Sequence, residues 1–140
     1  MANTQAISGI MKQVALGAVV DGKTLKAALY LASATTNGTN TAYTATGEVS
    51  GSGYSAGGVS VTNANTAGLT STTAYWTPSA SIAFGTVTLA TAFDAVMIYS
   101  TTDTNRNIGV FTFGSQVVTA GTVTLQMPVN DSSTGLVRFA

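Results

Sequence analysis

The chain has no cysteine and no histidine. Lacking cysteine, it has neither a disulfide scaffold nor a thiolate metal site, and the compartment stays open. Lacking histidine, its many Ser and Thr hydroxyls miss the base that most often activates a nucleophile near neutral pH. Lysine can take that role, but no Ser-x-x-Lys spacing occurs near a strand-to-helix turn. Charge is scarce too: 7% of residues are charged, against about 25% in an average domain. Long apolar runs are missing as well, since no window approaches the roughly 20 residues of a membrane span.

The sparse charges exclude further classes. Nucleic-acid binding needs a basic footprint that displaces counterions. Lys12, Lys23, Lys26, Arg106 and Arg138 are instead scattered among five acids, for a formal net charge of zero. A neutral exterior of Thr, Ser, Asn and Gly has little self-repulsion. It can lie against a protein partner without desolvating many ions, which points to life inside an assembly. The start lacks a signal-peptide layout, so synthesis in a cytoplasm with no address for leaving it is expected.

What is present is β-type patterning. At 140 residues the chain fits one domain with its own core. Met1 to Gln13 is weakly patterned and reads as an N-terminal arm or short extended segment, in which Gln5, Ala6, Ile7, Ile10 and Met11 could form one helical turn, with residues 14–140 forming the domain. Asp21-Gly22 is a turn signal between Val14–Val20 and Lys23–Ala32, and the latter alternates Leu25, Ala27, Leu29 and Leu31 on one face. Those two runs predict a hairpin. Further strands are predicted at Gly58–Thr62, Thr72–Thr77, Ser81–Ala90, Phe93–Tyr99, Ile108–Phe113, Thr122–Met127 and Gly135–Ala140. Pro78 and Pro128 close two of them, and Gly85 marks a bulge. Eight or nine short strands separated by turns predict an all-β, single-domain β-sandwich, best matched by a jelly roll of about eight strands.

Thr41 to Val61 stands apart. It carries five of the 15 glycines, two of the five tyrosines and the only glutamate. Glycine at this density excludes a helix interior, while Tyr43, Val49, Tyr54, Val59 and Val61 space apolar anchors through it. Gly51-x-Gly53 invites a phosphate-loop reading, but a strand entry follows where a helix N-terminus is needed. The stretch therefore reads as a structural bend pinned by Tyr43 and Tyr54.

Other candidate chemistry is thin. Glu48 with Asp94 or Asp103 could form a glycosidase-like carboxylate pair, but each reads as a single turn or rim residue. Asp103, Asn105 and Asn107 begin like a calcium loop, whose sixth and twelfth places require Gly and Glu. Here those places hold Ile108 and Gly114. No catalytic residue, cofactor or metal ligand is expected. Tyr43, Tyr54, Tyr75 and Trp76 could stack sugars, and Tyr54, Tyr75 and Trp76 would then be exposed, but aromatics in small β-sandwiches are more often core and corner residues.

Ala42 to Val59 reads Ala-Tyr-Thr-Ala-Thr-Gly-Glu-Val-Ser-Gly-Ser-Gly-Tyr-Ser-Ala-Gly-Gly-Val. It resembles a segment of tailed-bacteriophage virion proteins, in which Tyr leads to Glu-Val, then Gly-x-Gly-Tyr and Gly-Gly before a strand. Ile98-Tyr99-Ser-Thr-Thr-Asp103, Asn105-Arg106, Val110-Phe-Thr-Phe-Gly114, Val123-Thr-Leu125 and the tail Leu136-Val137-Arg138-Phe139 extend the likeness over about residues 25 to 140. Length and β content make the chain most similar to the capsid cement (decoration) proteins of these phages, those of podophages in particular. The resemblance implies a jelly roll on the outer capsid surface, non-catalytic, often a homodimer, cementing neighbouring subunits of the major capsid protein. It also leaves room for a receptor- or glycan-binding fibre or knob module. Neither nucleic acid nor membrane is an expected partner. Residues 1 to 24 lie outside the likeness and would form a capsid-gripping arm.

Overall fold

Seven strands and one helix form within residues 3–140, which the computed structural model describes. In chain order they are α1 (Gly9–Val20), β1 (Leu25–Leu31), β2 (Val59–Val61), β3 (Gly68–Thr70), β4 (Thr73–Trp76), β5 (Ile82–Ser100), β6 (Arg106–Leu125) and β7 (Val137–Phe139). The protein is thus mostly β, with two antiparallel sheets ordered β2-β1-β5-β6 and β3-β4-β7. Each sheet belongs to its own compact unit. One unit comprises the chain up to Gly22, Asn63–Ser79 and Met127–Ala140, and the other comprises Lys23–Thr62 and Ala80–Gln126.

The smaller sheet carries the helix. Val14–Val20 is helical, and the hairpin expected across Asp21-Gly22 does not form. The run alternates poorly, whereas Leu16, Gly17 and Val20 meet at helical spacing and are buried. Gly9–Gln13, expected as part of an arm, forms the first turns of the same helix. Asp21 ends it: its N–H donates to the Gly17 carbonyl at 2.9 Å, and its Oδ1 accepts from Ala67 N at 2.7 Å. Trp76 is fully buried, and its indole N–H donates to Asn63 Oδ1 at 3.1 Å. The Asn63 amide in turn donates to the Val20 carbonyl at 2.6 Å, which ties the end of the helix to β4. β3 was not expected, because Leu69 is its single large apolar residue and gives no alternation.

The larger sheet is built around β1, which is buried on both faces between β2 and β5. Its alternation places Ala28 and Tyr30 with Ala95, Met97 and Tyr99 in one cluster. The expected strands Ser81–Ala90 and Phe93–Tyr99 run together as β5, and Ile108–Phe113 and Thr122–Met127 join in β6. The joins are bulged: Leu89 pairs with Val118 and Phe93 with Gln116, so extra β5 residues are absorbed without breaking the strand. That merging is why seven strands form where eight or nine were read. The β5–β6 hairpin turns at Thr104 and Asn105, both at φ 57, with Arg106 N donating to the Asp103 carbonyl at 3.1 Å. Two successive left-handed residues match the right-handed strand twist.

Candidate functional site: the Glu48 clasp

The glycine-rich stretch is an excursion between two pairings on the same edge of β1. First, Leu31 N donates to the Gly47 carbonyl at 2.9 Å and Val49 N to the Leu29 carbonyl at 3.0 Å. These bonds flank an antiparallel bridge between Tyr30 and Glu48, which brings their side chains close together. The chain then crosses to β5, where Thr88 N donates to the Ser52 carbonyl at 2.9 Å, and returns as β2 with Val59 opposite Ala27. Glycine is required at both touchdowns. A Cβ on Gly51 would collide with the Thr88 carbonyl, and one on Gly58 with the Ala27 carbonyl, Gly58 also lying at φ +71.

One carboxylate closes the excursion. Glu48 Oε2 accepts from the Tyr43 hydroxyl at 2.6 Å. Its Oε1 accepts from the Tyr54 hydroxyl at 2.7 Å and from Gly57 N at 2.8 Å. Tyr54 Oη also accepts from Leu29 N at 3.0 Å. Leu29 faces the gap that the excursion leaves in the ladder, so a side chain replaces the missing strand partner. The Gly57 peptide is held from its other side, since its carbonyl accepts from the Tyr99 hydroxyl at 2.7 Å. Tyr43 stacks on Tyr99 with centroids 4.8 Å apart, and the Tyr30 hydroxyl donates to the Thr44 carbonyl at 2.6 Å. Four of the five tyrosines thus close on the loop that holds the only glutamate.

Electrostatics keep these phenols protonated. Burial raises the Tyr30 pKa to about 12, with the Glu48 charge adding to the shift. Burial and the hydrogen bond to Glu48 push Tyr43 and Tyr54 up, and burial with the Glu48 charge raises Tyr99. Each phenol stays a donor at neutral pH, and both carboxylate oxygens are already engaged. The arrangement holds the loop in place through both oxygens of one carboxylate.

The turn that holds Asp103 and Asn105 borders the clasp, since the Asn105 carbonyl accepts from Tyr43 N. Asp103 pairs with Lys23 at 3.2 Å and accepts from the Ser100 hydroxyl at 3.1 Å. The Lys23 ammonium holds its carboxyl below the usual carboxylate range. The Asp103–Asn107 segment is the hairpin turn. No group of three or more metal-ligating side chains occurs among the described residues, and no helix is long and apolar enough to cross a membrane. Trp76 is buried, and Tyr54 is half-buried with its hydroxyl committed. The exposed platform of Tyr54, Tyr75 and Trp76 therefore does not form. A recess of about 300 Å³ opens beside the clasp, lined by uncharged side chains including Ser33, Thr35, Thr36, Asn40 and Thr46.

Tyr43 and Tyr54 pin the bend as their spacing suggested. Tyr30 and Tyr99 were not anticipated as partners. The available signal was a polar-tipped residue at alternating positions of two otherwise apolar strands. No family model, curated protein or solved structure matches the chain.

Two predictions follow from the bond pattern. Glu48→Ala leaves two hydroxyls and one N–H without their acceptor and lowers unfolding free energy by about 2–4 kcal/mol. Glu48→Gln loses less, because a phenol can turn to accept from the amide. Urea unfolding checks both, and an Ala variant within about 0.5 kcal/mol of wild type contradicts the clasp. The second concerns alkaline pH. The fold binds the Tyr30 proton more tightly than the unfolded chain, so stability is full below about pH 10. It is lost as pH rises toward about 12, the folded-state pKa of Tyr30. Phenolate absorbance and melting temperature followed together test this, and ionisation of all five tyrosines near pH 10 in the folded state contradicts it.

Proposed function

We propose that the chain is a non-catalytic virion structural protein. It binds the outer surface of a phage capsid and cements neighbouring major capsid protein subunits. The jelly-roll form implied by the resemblance belongs to the same proposal, as does a place on the virion exterior. The observation that carries it is β6. This 20-residue strand lies at the edge of its sheet, and no charged residue or proline occurs from Asn107 to Met127.

Free proteins blunt long edges with lysine, proline or a covering segment. Here Tyr43 N donates to the Asn105 carbonyl at 2.8 Å and Asn107 N to the Thr41 carbonyl at 3.0 Å, covering the turn end alone. Bulges twist the rest but add no charge. Such an edge suits a chain that lies against another protein, where many copies turn modest contacts into lasting attachment.

Addition of purified protein to bare capsids tests the reading. Saturable decoration and a higher particle rupture temperature are expected. Thr112→Lys with Val117→Lys, both exposed on β6, should cut occupancy at least tenfold with the unfolding midpoint retained. Full occupancy of that variant removes β6 from the contact. Particles of normal stability that lose adsorption when the protein is missing favour a receptor- or glycan-binding knob, for which the hydroxyl-lined recess is the structural candidate.

A further inference from the structure

We infer that α1 packs antiparallel against the α1 of a second copy of this chain, about a two-fold axis passing between Val14 and Ala15. A homodimer is already implied by the resemblance; the new element is the surface that forms it, which rests on the helix alone and not on the capsid reading. The outward face of the helix is apolar throughout. Ile10, Met11 and Val14 are 57%, 61% and 65% exposed, and Ile7, just ahead of the helix, is 59% exposed. Ala15 and Ala18 are exposed as well. At about 100° per residue, positions 10, 11, 14, 15 and 18 share an arc of about 140°. Leu16 and Val20 are buried on the opposite side, with Gly17 buried at the flank beside Ile10. A surface helix ordinarily turns polar residues outward. This one does the reverse.

The chemistry of the face narrows what covers it. A helix lying on a membrane surface carries lysine and arginine around its apolar stripe. The only basic residue of α1 is Lys12, and its Nζ donates to the Thr72 carbonyl at 3.1 Å within its own unit. No acid occurs before Asp21, so no charge invites a basic partner. What remains is an apolar protein surface.

The taper of the stripe selects a second copy. Large residues occupy the N-terminal half and alanines the C-terminal half. Antiparallel pairing about a two-fold sets Met11 against Ala18 of the other copy and Val14 against its Ala15. Large meets small at both of these levels, which lets two helices approach and interdigitate. The absence of charge on the face means that the two-fold opposes no like charges. A specific interface should clear about 1,000 Å² in total. One pair of 12-residue helices makes a small interface, so association at micromolar or higher concentration is expected.

Sedimentation equilibrium of the full chain, from micromolar to millimolar concentration, tests the pairing. Wild type should show a monomer–dimer equilibrium. Val14→Asp should weaken it at least tenfold, with an unchanged unfolding midpoint because the site is exposed. Ala18→Leu is the sharper variant: it adds apolar area, so general stickiness would increase, whereas the proposed packing loses the space that Met11 fills. Dimerisation should fall about tenfold in Ala18→Leu and recover when Met11→Ala is added. A monomer at every concentration, stronger association of Ala18→Leu, open-ended growth, or no recovery in the double variant overturns the inference.

Discussion

The Glu48 carboxylate is the constraint on which the larger unit depends. The sequence leaves β1 at Val49 and must bring a loop rich in glycine back to the same edge at Val59. Such a loop has much conformational freedom to lose. Hydrogen bonds to a charged acceptor contribute about 1.5–3 kcal/mol each, and Glu48 accepts three from groups spread along that loop. Two of its donors are anchored in the sheet: Tyr43 by stacking on Tyr99, and Tyr54 by the N–H of Leu29. The carboxylate therefore turns loop closure into contact with β1 and β5.

The same contacts fix which chemistry the loop can carry. A glutamate surrounded by phenols looks suited to proton transfer when only residue types are considered. In the clasp its carboxylate accepts three hydrogen bonds, while burial and the carboxylate itself hold the phenols protonated. Charge is scarce outside the clasp as well, since only 7% of the residues are charged. The β6 segment from Asn107 to Met127 carries no charge, and the outer face of α1 is apolar. The two lie on different units.

Much of the β architecture was legible because alternation reports a buried face directly. Leu25 to Leu31, Val59 to Val61 and Thr73 to Trp76 form strands where the pattern placed them, with Pro78 ending the third. The failures have physical causes. Val14–Val20 resembles a strand by hydrophobicity, yet Leu16 and Val20 are one helical turn apart and pack together on one side. The break read between Ala90 and Phe93 is a bulge in a continuous strand, and bulges depend on the partner's register. Trp76 is a core residue, as aromatics of small β-sandwiches usually are, and not the surface ring of the alternative function; Asn63 gives its N–H a partner inside the unit. The clasp was half visible. Tyr43, Glu48 and Tyr54 stand close in sequence, whereas Tyr30 and Tyr99 reach it only through strand pairing.

Amide hydrogen exchange tests the central role of Glu48 most directly. Gly57 lies in a loop, and its N–H has no strand partner; it bonds to a side chain. If the clasp holds the excursion as tightly as the sheet, Gly57 should exchange as slowly as Leu31, whose N–H lies in the β1 edge pairing with Gly47. The Leu29 amide should share that protection and lose it in Tyr54→Phe, which removes its acceptor. Exchange of Gly57 at the rate of an exposed turn amide such as Gly38 would contradict the account.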